Sequence, residues 1–247
     1  MLKQARLSKI ESLVNEKKYV SLHELMSATK SSESTIRADL IELSDNGKLI
    51  RLRGGAQALN DNSLSFELNV EAKMKIEPEA KRKIGQFAAS LIPHDSFVYI
   101  DAGTSTFFLL DYISTDNAKF VTNSVIIARK LKSQGHTVYM IGGEFKSTTD
   151  AFIGPLAMDT VSKFTFDLGF FGCNGVDKEQ GITTPEFEEA MVKKAAMAQC
   201  KKLYVLADHT KFGKKTAVVF HPYTPEEIIT DYCPESFKGE GIKEIGK

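Results

Sequence analysis

Cysteine is scarce: Cys173, Cys200 and Cys233 are the only three in 247 residues, an odd number, far apart and without a C-x-x-C pair. That excludes a disulfide framework and a zinc ribbon, and it suits a reducing compartment. The five histidines have no H-E-x-x-H or H-x-x-x-H spacing, so no metal site is expected. No apolar run approaches the length that crosses a bilayer, and the charged start Met1-Leu2-Lys3-Gln4-Ala5-Arg6 lacks a signal-peptide core. A soluble cytoplasmic protein with no membrane partner is expected. Net charge is missing too: 32 Lys plus Arg balance 32 Asp plus Glu, which excludes a polybasic, histone-like protein. There is no internal repeat, no low-complexity tract, no Walker loop and no G-x-G-x-x-G, so no nucleotide or other cofactor is expected.

What is present is ordinary globular composition, 42% hydrophobic and 26% charged, in a chain long enough for one large or two smaller domains. A core of that size needs no staples. The zero net charge averages unlike parts, because residues 1–55 hold 10 basic against 7 acidic side chains and the remainder is correspondingly acidic. Leu7, Ile10, Leu13 and Val14 recur at helical spacing. Ser21-Leu22-His23-Glu24 is a capping box that opens a second helix carrying Leu22, Leu25 and Met26. Ser32 can cap a third helix, from Glu33 to about Asn46, with Ile36, Leu40, Ile41 and Leu43 apolar and Gly47 as its C′ residue. Leu49 to Arg53 alternates like a short strand and runs into Gly54-Gly55.

Periodicity is lost over residues 56–78, read as a linker that becomes a connecting helix. Beyond it, helices alternate with apolar strands: helices at 79–91, 107–113, 125–133 and 185–201, strands at 97–100, 120–121, 138–141, 168–171, 203–207, 217–220 and 228–230. Such alternation implies an α/β domain with a largely parallel sheet. The expected organisation is therefore a winged helix-turn-helix over 1–57, a linker over 58–78 and an α/β domain over 79–247.

Three helices with a tight turn between the second and third, followed by a basic strand, can read DNA. The third helix would present Ser32, Glu33, Ser34, Thr35 and Arg37 to the major groove of a double-stranded operator, where Arg can fork onto guanine. Arg51 and Arg53 on the wing would meet the backbone or the minor groove, with Gly54-Gly55 turning close to the phosphates. The bland alternative is a three-helix packing module. Thr35-Ile36-Arg37-Ala38-Asp39-Leu40 followed by Gly47-Lys48-Leu49-Ile50-Arg51-Leu52-Arg53-Gly54-Gly55-Ala56 resembles the signature of the DeoR family of bacterial transcriptional regulators. That family usually has a second Arg where Ala38 stands and His where Arg53 stands. The resemblance implies DNA binding.

In the second segment, Asp101-Ala102-Gly103-Thr104-Ser105-Thr106 follows a strand and opens a helix, an arrangement that exposes N–H groups to an anion. Thr122-Asn123-Ser124, Gly172-Cys173-Asn174-Gly175-Val176-Asp177 and Asp208-His209-Thr210-Lys211-Phe212-Gly213 follow later strands, at the end where open α/β sheets bind ligands. This succession resembles the DeoR sensor domain, which is similar in fold to ribose-5-phosphate isomerase and CoA transferases. The resemblance implies that Asp101, Gly103, Thr104, Ser105 and Thr106 hold the phosphate of a sugar-phosphate effector and that Asn123 meets a hydroxyl. Gly172, Asn174, Gly175 and Asp177 would line the sugar, and Asp208 and Lys211 would complete the site, with Lys211 a point charge on the phosphate. Lys193 and Lys194 read as a solvated helix face, Lys81-Arg82-Lys83 as a charged one, and Cys173 as a packing residue.

These features imply a repressor of a sugar operon, acting as a homodimer or homotetramer and released by a phosphorylated sugar. The run Gly181-Ile182-Thr183-Thr184-Pro185-Glu186-Phe187 looks closest to the fructose-operon repressors of the family, which suggests fructose 1-phosphate. A competing reading is a sugar-phosphate isomerase, but the 172–177 loop lacks the acid-rich D-G-A-D-E sequence of those enzymes, so no catalytic residue is expected. A constitutive architectural DNA binder would leave the second segment's polar turns unexplained.

Overall fold

The computed structural model describes residues 2–46, 48–52, 54–58, 69–239 and 241–246. Two compact units divide the chain, residues 1–62 and 63–247. Gly47, Arg53 and residues 59–68 of the expected linker lie outside the described residues.

The first unit contains α1 (Lys3–Lys17), β1 (Tyr19–Ser21), α2 (Leu22–Thr29), α3 (Glu33–Asp45), β2 (Ile50–Leu52) and β3 (Gly55–Gln57). The capping box forms as the sequence requires: Ser21 N–H donates to Glu24 Oε2 at 2.9 Å, and Glu24 N–H donates back to Ser21 Oγ at 3.2 Å. Lys30, in the left-handed region, ends α2, and Ser32 caps α3. Leu7, Ile10, Val14, Leu25, Ile36, Leu40 and Leu43 close one core. Ile41, expected to be apolar core, instead faces outward. Val20 and Ser21 belong to a strand that the sequence did not announce, and the wing has three strands in the order β1-β3-β2, all antiparallel.

The second unit begins with α4 (Val70–Lys75) and α5 (Pro78–Ser90), then β4 (Phe97–Ile100), α6 (Thr104–Leu109), β5 (Lys119–Thr122), α7 (Val125–Ser133) and β6 (Thr137–Met140). A ribbon of β7 (Glu144–Lys146) and β8 (Ala151–Ile153) leads to α8 (Pro155–Val161) and β9 (Leu168–Gly172). There follow β10 (Gly175–Asp177), β11 (Gly181–Thr184), α9 (Phe187–Met197), β12 (Leu203–Leu206), β13 (Val218–His221), β14 (Ile228–Thr230) and β15 (Lys243–Glu244).

Seven strands form one parallel sheet in the order β15-β14-β12-β9-β4-β5-β6. Successive strand residues alternate between its faces. Val98, Ile100, Phe170 and Leu206 pack under α5, α6 and α7, while Tyr99, Phe171 and Val205 pack against α8, α9 and the antiparallel β10-β11-β13 sheet. Burial on both faces explains the nearly unbroken apolar runs. Gly85 allows α5 and α6 to touch, since a Cβ there would stand 2.7 Å from Leu109 N.

The order also locates a crevice. From β4 the chain moves outward through β5 and β6, whereas from β9 it moves the other way through β12, β14 and β15. The direction reverses between β4 and β9, the point at which open sheets accept ligands beyond the strands' carboxyl ends.

Candidate functional site

The turns after β4, β9 and β12 meet at that reversal. The backbones after β4 and β9 nearly touch: a Cβ on Gly103 would be 3.6 Å from Gly172 Cα. Asp101 follows β4 and is buried beneath the turn, where its Oδ2 accepts the Gly172 N–H at 3.1 Å and pairs with the Lys193 ammonium of α9. Lys193 also donates to Gly172 O at 3.3 Å. The expectation of a solvated Lys193 is corrected. The α9 face that carries it packs on the sheet, and only Lys194 is exposed. Asp101 is correspondingly a positioning group. Burial pushes its carboxyl up, opposed by Lys193.

The remaining turn residues divide by whether their polar atoms are already used. Thr106 donates to Asp101 O at 2.7 Å and Gly103 O at 2.8 Å, closing the turn on itself. Asn123 is largely committed within the unit: its Oδ1 accepts from Tyr99 OH at 3.2 Å and Ala102 N–H at 3.1 Å, and one Nδ2 N–H donates to Phe152 O at 3.0 Å. It ties three segments together, and its second Nδ2 N–H is the donor a ligand hydroxyl could meet. Thr104 and Ser105, by contrast, make no side-chain hydrogen bond to any described residue, and they precede the first closed turn of α6 beside its unpaired N–H groups.

The loop after β9 serves largely to hold the β10–β11 hairpin. Gly175 is needed for packing, since a Cβ there would lie 2.3 Å from Lys214 O. Asp177 caps the hairpin turn, accepting from Glu179 N–H (3.0 Å) and Gln180 N–H (2.8 Å), and pairs with Lys215 at 3.3 Å. A sugar at this loop would share a carboxylate that already holds the turn. Asn174 N–H donates to Thr183 O at 2.9 Å, and its Oδ1 accepts from Thr184 at 3.3 Å. Cys173 packs against the core, and burial pushes its thiol up to about 12, so it is no nucleophile.

After β12, Asp208 is fully buried. Its Oδ1 accepts from the Thr210 N–H (3.0 Å) and hydroxyl, whereas its Oδ2 has no hydrogen bond among the described residues and stands 3.9 Å from the half-buried Lys211 ammonium. Burial raises the Asp208 carboxyl, but Lys211, Thr210 and Lys81 together hold it below its ordinary range.

The sequence reading missed most of the charge around these groups. Lys81 is buried, not part of a charged helix face, because its position on α5 points at the sheet unit; Arg82 and Lys83 are exposed as expected. Glu189 of α9 accepts from Lys146 (3.0 Å) and Thr149 (2.8 Å), and Lys146 also reaches Glu186 at 3.1 Å. Lys73 of α4 lies within electrostatic reach of Glu189, Lys211, Lys193 and Lys146. Burial first, then its lysine neighbours, lower Lys73 to about 7 against the pull of Glu189; burial and Lys211 lower Lys81 to about 8. Lysines crowded into one crevice in this way favour an incoming anion.

In the first unit, Ser32 caps α3 through Thr35 N–H (3.4 Å) and shares hydroxyl contacts with Ser34 (3.0 Å) and Thr35 (2.9 Å). Glu33, Ser34 and Arg37 are exposed on the same helix, and Arg37 Nε donates to Glu33 at 2.8 Å. Arg51 is exposed on β2, while Arg53 lies outside the described residues. Gly55 owes its place to β1: a Cβ would stand 2.2 Å from Val20 O, so the close approach it permits is internal, not to DNA. The buried Asp39 pairs with Arg6, anchoring α3 to α1, a contact that periodicity did not reveal.

Residues 6–62 match the family model of the DeoR-like helix-turn-helix domain, and residues 76–232 that of the DeoR C terminal sensor domain. The chain is 36% identical to an HTH-type transcriptional regulator, FruR, of Bacillus subtilis, over 95% of this chain and 93% of that protein. It is 31% identical to the lactose phosphotransferase system repressor of Streptococcus mutans, over 96% and 95% respectively. Ribose 5-phosphate isomerase A of Methanocaldococcus jannaschii aligns over 56% of this chain and 55% of its own with a TM-score of 0.42 and 12% identity, a partial likeness that says nothing of chemistry.

Proposed function

The chain belongs to the DeoR family of transcriptional regulators, and from that footing we propose that it represses a sugar-uptake or sugar-catabolic operon and leaves its operator when a phosphorylated sugar, fructose 1-phosphate first among the candidates, fills the crevice after β4, β9 and β12. The observation that carries this reading is the crowding of Lys73, Lys81, Lys193 and Lys211, two of them lowered to about 7 and 8. A phosphate dianion relieves that repulsion. Lys211 supplies a point charge to it, Thr104 and Ser105 supply unspent hydroxyls, and Asp208 Oδ2 awaits a donor such as a sugar hydroxyl. An uncharged sugar satisfies Asp208 and leaves the lysines as they were.

On the DNA side, α3 enters the major groove with Arg37 and the hydroxyls of its first turn, and Arg51 meets phosphate. Two such readers, held at a fixed spacing by a homodimer or homotetramer, select paired half-sites. A 100-fold loss of operator affinity on induction needs about 2.8 kcal/mol of differential effector binding. An isomerase is disfavoured because the similar full-length proteins are named as a transcriptional regulator and a repressor, and because Asp177 is committed to a turn and Asp101 to Lys193.

The test is a gel shift on an operator selected from random duplexes by the chain itself, titrated with fructose 1-phosphate, fructose 6-phosphate and fructose. Release by a phosphorylated sugar and not by fructose is the expected result. Equal release by free sugar, or turnover of a sugar phosphate by the purified chain, would overturn the reading.

A further inference from the structure

The helix α4 is the first described element after the DNA-reading unit, and none of its six residues is fully buried. Apolar packing does little to hold such an element. Polar contacts do that instead. Asn69 accepts the Ala72 N–H at 2.9 Å to cap its start, and Val70 N–H donates to Thr148 O at 3.2 Å, in the turn joining β7 to β8. At the other end, the buried Lys81 ammonium donates to Lys73 O and, at 2.6 Å, to Ile76 O, satisfying carbonyls that a helix terminus leaves open. The strap is thus fastened at both ends to the sheet unit, and one of its fasteners, Lys81, belongs to the charged cluster itself. Lys73, on the strap, is within electrostatic reach of Glu189, Lys193 and Lys211, and the strap lies against the β7–β8 turn whose Thr149 holds Glu189.

We propose that Lys73 is a ligand of the effector's phosphate and the residue through which occupancy of the crevice acts on α4, and so on the chain that enters α4 from the DNA-reading unit. The inference rests on the phosphorylated-sugar reading above. A ligand that moves an equilibrium must touch the two states differently. Thr104, Ser105 and Lys211 all sit on the sheet unit's own turns and offer an anion the same partners wherever the strap lies. Lys73 is the one cluster lysine carried by the strap, so a phosphate that binds it ties the strap to the sheet.

The same geometry predicts a proton. The groups facing the Lys73 ammonium are Glu189 and Lys193 from α9, Lys146 from β7 and Lys211 from the turn after β12, while Lys81 of α5 holds its carbonyl. Burial and the three lysines lower Lys73 to about 7. At pH 8 the free side chain is mostly neutral, whereas a phosphate monoester, with a second pKa of about 6, is fully ionised. A dianion beside Lys73 raises its pKa, so binding takes up a proton, and affinity falls as pH rises above 7.

The experiment uses the full chain with fructose 1-phosphate, fructose 6-phosphate and inorganic phosphate as probes. Calorimetry at pH 8 in two buffers of different ionisation heat reads proton uptake, hydrogen exchange reads the amides of residues 70–76, and a gel shift on the selected operator reads release. Wild type takes up a proton, protects 70–76 and lets go of the operator. For Lys73→Met, uptake drops, protection of 70–76 is lost, and the effector level needed for release rises by about 10-fold beyond any loss in that variant's own effector binding. Lys73→Arg, charged at every pH used, restores release without the proton. If Lys73→Met couples binding to release as wild type does, or if 70–76 is protected equally in both, this inference falls while the site reading stands. A wild type that binds none of the probes overturns both. If Lys73→Met fails to fold, the Lys73→Arg chain decides alone: unchanged proton uptake, or lost release despite effector binding, overturns the proposal.

Discussion

The two units of this chain place their charges in opposite ways. In the first, the side chains proposed to meet DNA lie outside: Arg37 and Glu33 are paired on the exposed face of α3, and Arg51 stands on the wing. A buried ion pair, Arg6 with Asp39, only anchors the helix that carries them. In the second unit the charges that matter lie inside, where Asp101 with Lys193, Asp208 with Lys211 and Lys81 on backbone carbonyls occupy the carboxyl ends of the strands. The contrast follows from the partners. A phosphate backbone is long and solvated and is met by surface cations that release counterions. A small anion gains most where water is excluded and charges are held in place, since Coulomb energy grows as the effective dielectric falls.

The contrast can be broken most sharply at Asp101. Replacing it with Asn leaves the Lys193 charge buried without its partner and should cost the second unit about 3–5 kcal/mol, seen as an earlier urea transition. Adding Lys193→Met should recover a good part of that loss. If Asp101→Asn melts like wild type, the interior pairing is not the structural element described here. At Lys211, Met preserves the aliphatic stem but deletes the charge. The expected loss of about 1.5–3 kcal/mol raises the effector concentration for release by about 10- to 150-fold while operator binding survives, a split that gel shifts with and without effector measure directly.

On the outer surface the expected effects are similar or smaller, and they depend on salt. Arg37→Ala should weaken operator binding by about 1–3 kcal/mol and relax one base pair, whereas Arg51→Ala should weaken all duplexes alike and flatten the salt dependence. Titrations against operator and random duplex at two salt concentrations separate the two; identical behaviour of both variants would remove α3 from the groove. The smallest effect is expected at Ser21. Its replacement by Ala opens the capping box of α2 and should cost about 1 kcal/mol of the first unit's stability, read from its thermal transition, without altering the response to effector.

Much of the architecture could be read from local pattern. The run Phe97-Val98-Tyr99-Ile100 is a strand because a parallel strand buried on both faces is apolar throughout, and α7 spans the expected residues 125–133 because its amphipathic stripe is clean. The opening of α6 was harder to read. Thr104, Ser105 and Thr106 are poor helix formers, so the pattern suggests a start at Phe107, yet the helix begins at Thr104 under the Gly103 turn. Strands β7, β8, β10 and β11 went unread because strands of three or four residues are too short to carry a period, and β7, β10 and β11 are also interrupted by Gly, Thr or charge. β11 is a strand through its pairing with β10 on one side and, across a long stretch of chain, through Val218 and Val219 opposite Thr184 and Thr183 on the other. The site shows the same division. Its turns were visible as polar clusters after strands, but a lysine within a helix looks solvated whatever it packs against, so Lys73, Lys81 and Lys193 were passed over.

By itself, then, the sequence determined the kind of protein this is: a helix-turn-helix reader with a wing, then alternating helices and strands whose polar turns fall at one end of a parallel sheet. Those features are set by neighbours in the chain, through periodicity, caps and turn chemistry. The tertiary structure alone decided which charges are interior. Asp101 meets Lys193 because the fold brings distant segments to one crevice where the sheet order reverses between β4 and β9, and Lys73 comes within electrostatic reach of Lys211 there. Desolvation and Coulomb energy depend on distance through space and on what excludes water, and neither is written in spacing along the chain.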